Sequence, residues 1–170
     1  MKIIAVRHGE TDMNAEGRVQ GLMNTPINRL NATGKIQMQP VATMLPVQID
    51  AIFSSPLRRA YESALIIAFY RKTIVTIAHE LRERDFGSLE GLLANEVREE
   101  ILTHDYKRWG GDSLRERENE LAQFVNSLLP RYENPVFVTH AGVIRMLYIL
   151  YAPDRVPEKI TNASLHEFEV

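Results

Sequence analysis

Two histidines follow directly on short apolar runs. Arg7, His8 and Gly9 come straight after Ile3–Val6, and His140, Ala141 and Gly142 come straight after Val136–Thr139. A third run, Asp50–Phe53, leads into Ser54, Ser55, Arg58 and Arg59. A fourth, residues 74–78, leads into Glu83. If these runs are parallel strands of one sheet, their carboxyl ends share an edge, where α/β proteins bind ligands. Two imidazoles, at least two guanidiniums and a carboxyl group would then converge. Guanidiniums and helix-start N–H groups suit the oxygens of a phosphoryl group. A neutral imidazole can attack phosphorus, and a carboxyl group can protonate a leaving alcohol. The chemistry this combination suits is phosphoryl transfer.

The elements between these residues have the required rhythm. Strand-like runs alternate with helical periodicity, which points to an α/β fold. Asn31 is placed to cap a helix running to about Leu45, weakened by Gly34 and expected to kink at Pro40. Leu57, Ala60, Tyr61, Ala64, Leu65 and Ala68 recur at helical spacing to about Tyr70. A further helix is expected from about Leu92 to Trp109, broken by Gly110 and Gly111. Ser113 and Glu116 form a capping-box pattern for a helix to about Leu129. Residues 143–150 read as a buried helix and 164–169 as a polar edge strand. The expected architecture is a three-layer α/β/α sandwich with a mostly parallel central sheet.

Length and composition narrow the function. At 170 residues, 45% hydrophobic and 25% charged, the chain reads as one ordinary globular domain over residues 1–170. Its net charge of -2 gives no support for nucleic-acid binding. The absence of cysteine excludes thiolate chemistry and fits a reducing compartment. The apolar start is too short for a signal or spanning helix, so the expectation is a cytoplasmic protein without membrane contact. The arginines near the two histidines would repel a cation, and no His-Glu-x-x-His spacing occurs, so neither metal nor cofactor is expected. The oligomeric state is nearly unreadable, and a symmetric homodimer is compatible with the chain.

Four motifs, in order, resemble those of the histidine phosphatase superfamily, in the branch that holds phosphoglycerate mutases and their phosphatase relatives. They are Arg7-His8-Gly9-Glu10-Thr11, Ser54-Ser55-Pro56-Leu57-Arg58-Arg59-Ala60, Leu81-Arg82-Glu83 with Phe86-Gly87, and Thr139-His140-Ala141-Gly142-Val143-Ile144-Arg145. Each is weak alone, but the four span nearly the whole chain. The resemblance implies a phosphohistidine on His8, phosphate ligands in Arg7 and Arg59, a second catalytic histidine in His140, and a proton donor in Glu83. It also implies a pocket lined by Asn14 and rimmed by Gln20 and Gly21. From strand-to-helix geometry, a backbone N–H of Ala141 or Gly142 is a further candidate phosphate donor. Arg58 reads as a solvated helix residue, and His79, His104 and His166 as structural.

The departures from the family pattern fall on the substrate side. The loop from Gln20 to Gly34 is about three residues longer, Asn24 replaces a common aspartate, and Leu89 stands where tryptophan is frequent. Leu22, Met23, Leu89 and Trp109 are candidates for an apolar contact surface. Only 26 residues run from Gly87 to Asp112, less than a mutase needs to wall off water, so a more open pocket is expected. The leading expectation is hydrolysis of a small phosphorylated metabolite. The alternatives are a cofactor-dependent phosphoglycerate mutase and a non-catalytic phospho-ligand binding module.

Overall fold

A computed structural model describes residues 1–170. Five strands, β1 (Lys2–Arg7), β2 (Ala51–Ser54), β3 (Val75–Ile77), β4 (Pro135–Thr139) and β5 (Leu165–Glu169), form one sheet in the order β3-β2-β4-β1-β5. The first four are parallel. Only β5 runs antiparallel, against β1 at the edge.

Period-2 alternation builds a core on each face. Ile3, Ala5, Phe53 and Phe137 point to one side, where α5 (Leu114–Leu128) and α6 (Ala141–Tyr151) pack. Ile4, Val6, Ile52, Val136 and Val138 point to the other, against α2 (Ala32–Met44) and α3 (Arg58–Arg71). The three-layer α/β/α arrangement therefore follows from strands that are apolar on both faces. Two short helices, α1 (Asp12–Ala15) and α4 (Arg98–Leu102), lie in the connections above the sheet.

Asn31 caps α2 through its side chain, as expected. The helix continues through Pro40 to Met44. Gly34, which reads as a weakness, is where α2 touches the loop after β1. A Cβ on Gly34 would overlap the Glu10 carbonyl, and one on Gly9 would overlap the Gly34 carbonyl. The two glycines let helix and loop meet backbone to backbone.

Two expectations fail. The helix expected over 92–109 is reduced to α4 and a single 3-10 turn at Lys107–Trp109. Residues 91–94 spend their backbone groups on a clasp with 17–19 instead. Gly91 donates to Val19 (2.8 Å), Val19 to Leu92 (2.9 Å) and Ala94 to Gly17 (2.8 Å), with Arg18 bridged to Leu93. Tertiary pairing overrides helical propensity there. The Ser113–Glu116 capping box also does not form: Ser113 makes no side-chain cap, and Glu116 pairs with Lys107 at 2.6 Å.

Candidate active site

The register of the two central strands sets the centre of the site. Arg7 pairs with Thr139, so the next residue of each strand, His8 and His140, leaves the sheet side by side. Their ring centroids are 5.1 Å apart. The Nδ1 of His8 is 2.7 Å from the Gly9 carbonyl. A carbonyl can only accept, so Nδ1 carries the proton and Nε2 holds a free lone pair.

His8 is 3% exposed. Burial, then the charges of Arg59 and Arg7, hold its pKa well below the ordinary 6.5, which leaves the ring neutral at pH 7. His140 is shifted the same way, first by burial and then by Arg59. It is fully buried, with Nε2 2.8 Å from Ser55 Oγ and Nδ1 without a partner.

Two guanidiniums share the cleft with His8. Arg7, from the end of β1, donates through Nη1 to the Ile160 carbonyl at 2.6 Å. Arg59, from the first turn of α3, donates to the carbonyls of Gly21 (2.7 Å) and Met23 (3.0 Å). The Nε of each is buried and unpartnered. Burial lowers the Arg59 pKa to about 10, so the group stays charged at pH 7. Unpartnered buried donors are rare in folded proteins, and these two stand with His140 Nδ1 around one imidazole.

Glu83 closes the site and is 8% exposed. Its Oε1 accepts the N–H of Arg84 (2.9 Å) and its Oε2 that of Gly142 (3.2 Å). A Cβ on Gly142 would overlap the carboxylate, so the glycine makes room for it. The Glu83 loop is tied down from beneath. Thr139 Oγ1 donates to the Leu81 carbonyl at 2.7 Å. Arg117, buried on α5, donates to the carbonyls of Glu80 (2.9 Å) and Arg82 (3.0 Å). Asp112 pairs with Arg82 at 2.9 Å and accepts the Asp85 N–H at 2.8 Å. Asp85, the neighbouring carboxylate, accepts from Gly87 instead of facing the cleft.

The cleft holds about 180 Å³ and is lined by Arg7, His8, Asn14, Gln20, Gly21, Arg59 and Glu83, with Val19, Phe86, Ala94 and Ile101 as its apolar side. Asn14 caps α1 reciprocally with Thr11 through Oδ1 and lies on the cleft wall. Gln20 Oε1 accepts the Thr11 hydroxyl at 3.0 Å.

The structure departs from the sequence reading in three places. Ala141 and Gly142 line a neighbouring compartment rather than this cleft, and the Gly142 N–H is taken by Glu83. Glu83 therefore competes with a bound phosphate for the Gly142 N–H. The apolar wall is not the expected one: Leu89 is buried in a small core with Val19, Val97 and Tyr106, and Leu22, Met23 and Trp109 line neither compartment. The short segment after Gly87 still walls the cleft, through Ala94 and Ile101. Arg58 is exposed and paired with Glu62, as its solvated reading implied.

Sequence reasoning missed several supporting groups. Asn162 donates to the His8 carbonyl and to Asn14 Oδ1, both at 3.1 Å. Ser63 Oγ accepts the Gly9 N–H at 3.1 Å. Ser55 was visible only as part of its motif. Asn162 carries no local cue, since it reaches the site from 154 residues away in the chain.

The family profile for the histidine phosphatase superfamily (branch 1) matches residues 3–170. The chain belongs to this superfamily. It is 36% identical to phosphoglycerate mutase-like protein 4 of Arabidopsis thaliana, over 99% of the chain and 79% of that protein. It is 34% identical to phosphoserine phosphatase 1 of Hydrogenobacter thermophilus, over 87% of the chain and 74% of that protein. Among solved structures, a mycobacterial glucosyl-3-phosphoglycerate phosphatase in complex with vanadate superposes with a TM-score of 0.84. It shares 26% identity over 98% of this chain and 91% of that one. This histidine phosphatase thus shares its fold and most of its length with phosphomonoester hydrolases. None of its helices is long and apolar enough to cross a membrane.

Proposed function

We propose that the chain hydrolyses small phosphate monoesters through a phosphohistidine on His8 Nε2. The observation that carries this reading is the neutral, buried His8, with Nδ1 tied to the Gly9 carbonyl, facing two guanidiniums with unpartnered buried Nε groups. In the first step Nε2 attacks phosphorus in line. The P–N bond forms and the ester P–O bond breaks, while Arg7 and Arg59 hold the non-bridging oxygens and Asn14 lies beside them. Ser55 Oγ accepts the N–H of Leu57 (3.2 Å) and lies 2.8 Å from His140 Nε2, and in this reading it donates its proton there. That arrangement leaves the His140 proton on Nδ1 as a neutral donor. Glu83 gives its proton to the leaving oxygen. In the second step water attacks the phosphohistidine, the P–N bond breaks, and Glu83 takes the water proton.

The relatives named as phosphoserine and glucosyl-3-phosphoglycerate phosphatases support a small phosphorylated metabolite as substrate. The deciding experiment assays 3-phosphoglycerate for phosphate release and, with 2,3-bisphosphoglycerate present, for isomerisation. Release is expected to dominate. Fast isomerisation with little free phosphate would make the chain a mutase, and binding without either reaction would make it a phospho-ligand module.

The pH profile provides a second check. The lowered His8 pKa keeps Nε2 unprotonated through pH 6.5. After correction for the ester's own ionisation near pH 6, kcat/KM is expected not to fall between pH 7.5 and 6.5 and to fall only well below that range. A fall centred at 6.5, as for an exposed imidazole, would contradict the buried neutral nucleophile.

A further inference from the structure

The chain between α6 and β5 is fastened to the residues at the end of β1. Arg7 Nη1 donates to the Ile160 carbonyl at 2.6 Å. The Ala163 N–H is shared between the carbonyls of Arg7 (3.1 Å) and His8 (3.2 Å). Ala163 itself has φ 58°, in the left-handed region that a residue with a Cβ seldom occupies. Such a conformation persists only where the surrounding contacts enforce it, and it is found where function needs a fixed geometry. What this turn delivers to the site is the side chain of Asn162.

Two backbone groups fix the orientation of a pair of carboxamides. Asn162 Nδ2 donates to the His8 carbonyl at 3.1 Å. A carbonyl only accepts, so the nitrogen of Asn162 and not its oxygen stands there. The same Nδ2 donates its second proton to Asn14 Oδ1, also at 3.1 Å. Asn14 Oδ1 in turn accepts the Thr11 N–H at 3.2 Å. A backbone N–H only donates, so the oxygen of Asn14 is the atom turned toward Thr11 and Asn162. Every hydrogen bond of the Asn14 side chain runs through this oxygen. Both Nδ2 protons are thereby left for the cleft that Asn14 lines.

The orientation matters for an anion. With Oδ1 toward the cleft, a phosphoryl oxygen would meet a second acceptor and be repelled. With Nδ2 toward it, the same oxygen meets a donor, and hydrogen bonds to charged acceptors are the strong ones. Asn162 is not among the residues that line the cleft, so it acts through its neighbour. We infer that Asn162 is a positioning residue for the phosphoryl group: it holds Asn14 Oδ1 away from the cleft and so keeps Asn14 Nδ2 aimed at a non-bridging oxygen. This inference rests on the phosphate-binding part of the proposed function, whichever reaction follows binding.

The test uses inorganic phosphate, with its dissociation constant read by calorimetry in the wild type, Asn162→Ala, Asn14→Ala and the double variant. Asn162→Ala is expected to weaken binding fivefold or more, because Thr11 alone does not stop the Asn14 amide from turning. Asn14→Ala is expected to weaken it at least as much. Adding Asn162→Ala to Asn14→Ala is expected to cost less than a further twofold, since two residues acting through one contact are not additive. A purely structural role, through the His8 carbonyl or the turn, would cost the same in both backgrounds. That result, or unchanged binding in Asn162→Ala, overturns the inference. A measurement on the wild type keeps it open to refutation should a variant fail to fold. In side-chain amide NMR spectra, phosphate is expected to shift the Asn14 Nδ2 protons downfield by more than those of Asn162. Asn14 protons that do not move overturn the inference. Phosphate binding with this pattern in a protein that hydrolyses no ester upholds the inference and removes the hydrolytic reading. A wild type that binds no phosphate removes both.

Discussion

Replacing His8 with alanine is expected to lower kcat/KM by about 10⁴-fold or more, the scale of loss when a covalent nucleophile is removed. At 1.36 kcal/mol per factor of ten that is roughly 5 kcal/mol of transition-state stabilisation. The same variant is expected to take up no acid-labile phosphate label from a phosphate ester, because no other side chain in the cleft can form a P–N bond. His140 is the nearest alternative, but it is fully buried with Nε2 on Ser55. Arg7 and Arg59 keep their backbone partners in this variant, so inorganic phosphate is expected to remain bound. Full activity in a folded His8→Ala protein would end the phosphohistidine mechanism. Lost phosphate binding would instead point to a collapsed cleft.

Glu83→Gln separates the two steps of the reaction. Glutamine keeps one acceptor oxygen, enough for one of the two N–H groups of Arg84 and Gly142 that separate Glu83 oxygens now accept, and it cannot give a proton. An alkyl phosphate needs that proton at its leaving oxygen, so kcat/KM for glycerol 1-phosphate is expected to fall by about 10²- to 10⁴-fold. Nitrophenolate leaves without it, so kcat/KM for nitrophenyl phosphate is expected to fall by less than about tenfold. The second step needs Glu83 as base for either substrate. With nitrophenyl phosphate the variant is therefore expected to show a burst of nitrophenol, followed by slow turnover and accumulated phosphoenzyme. Equal losses for the two esters, with no burst, would remove Glu83 from both roles.

Both experiments target residues whose importance is visible in the chain itself, and that visibility has a physical basis. A strand must be apolar where it is buried on both faces, so Ile3–Val6 and Val136–Val138 announce themselves by composition. The first residue past such a strand is the first that can face a ligand. Arg7, His8, Thr139 and His140 occupy those positions, and their types alone suggest phosphoryl chemistry. The α/β rhythm, the polar edge-strand pattern of 164–169 and the cap of α2 by Asn31 are local features too. They were legible because each depends on neighbours a few residues away.

What the tertiary structure decided was where the remaining polar groups spend their hydrogen bonds. Nothing local tells that Gly91–Ala94 pairs with Gly17–Val19 instead of forming a helix, because the competing partner lies more than 70 residues away. Arg117 looks like any charged residue on an amphipathic helix, yet it is buried and holds the loop that carries Glu83. The Gly142 N–H was readable as a donor but not as one already claimed by Glu83. Arg84 and Arg145, 61 positions apart, face one compartment only because α6 packs beside the Glu83 loop. The chain's own pattern determined which chemical groups stand at the sheet edge, since burial acts on each strand separately. Folding decided which of those groups remain free to meet a substrate, since hydrogen bonds and charges are satisfied by whatever the rest of the chain brings near.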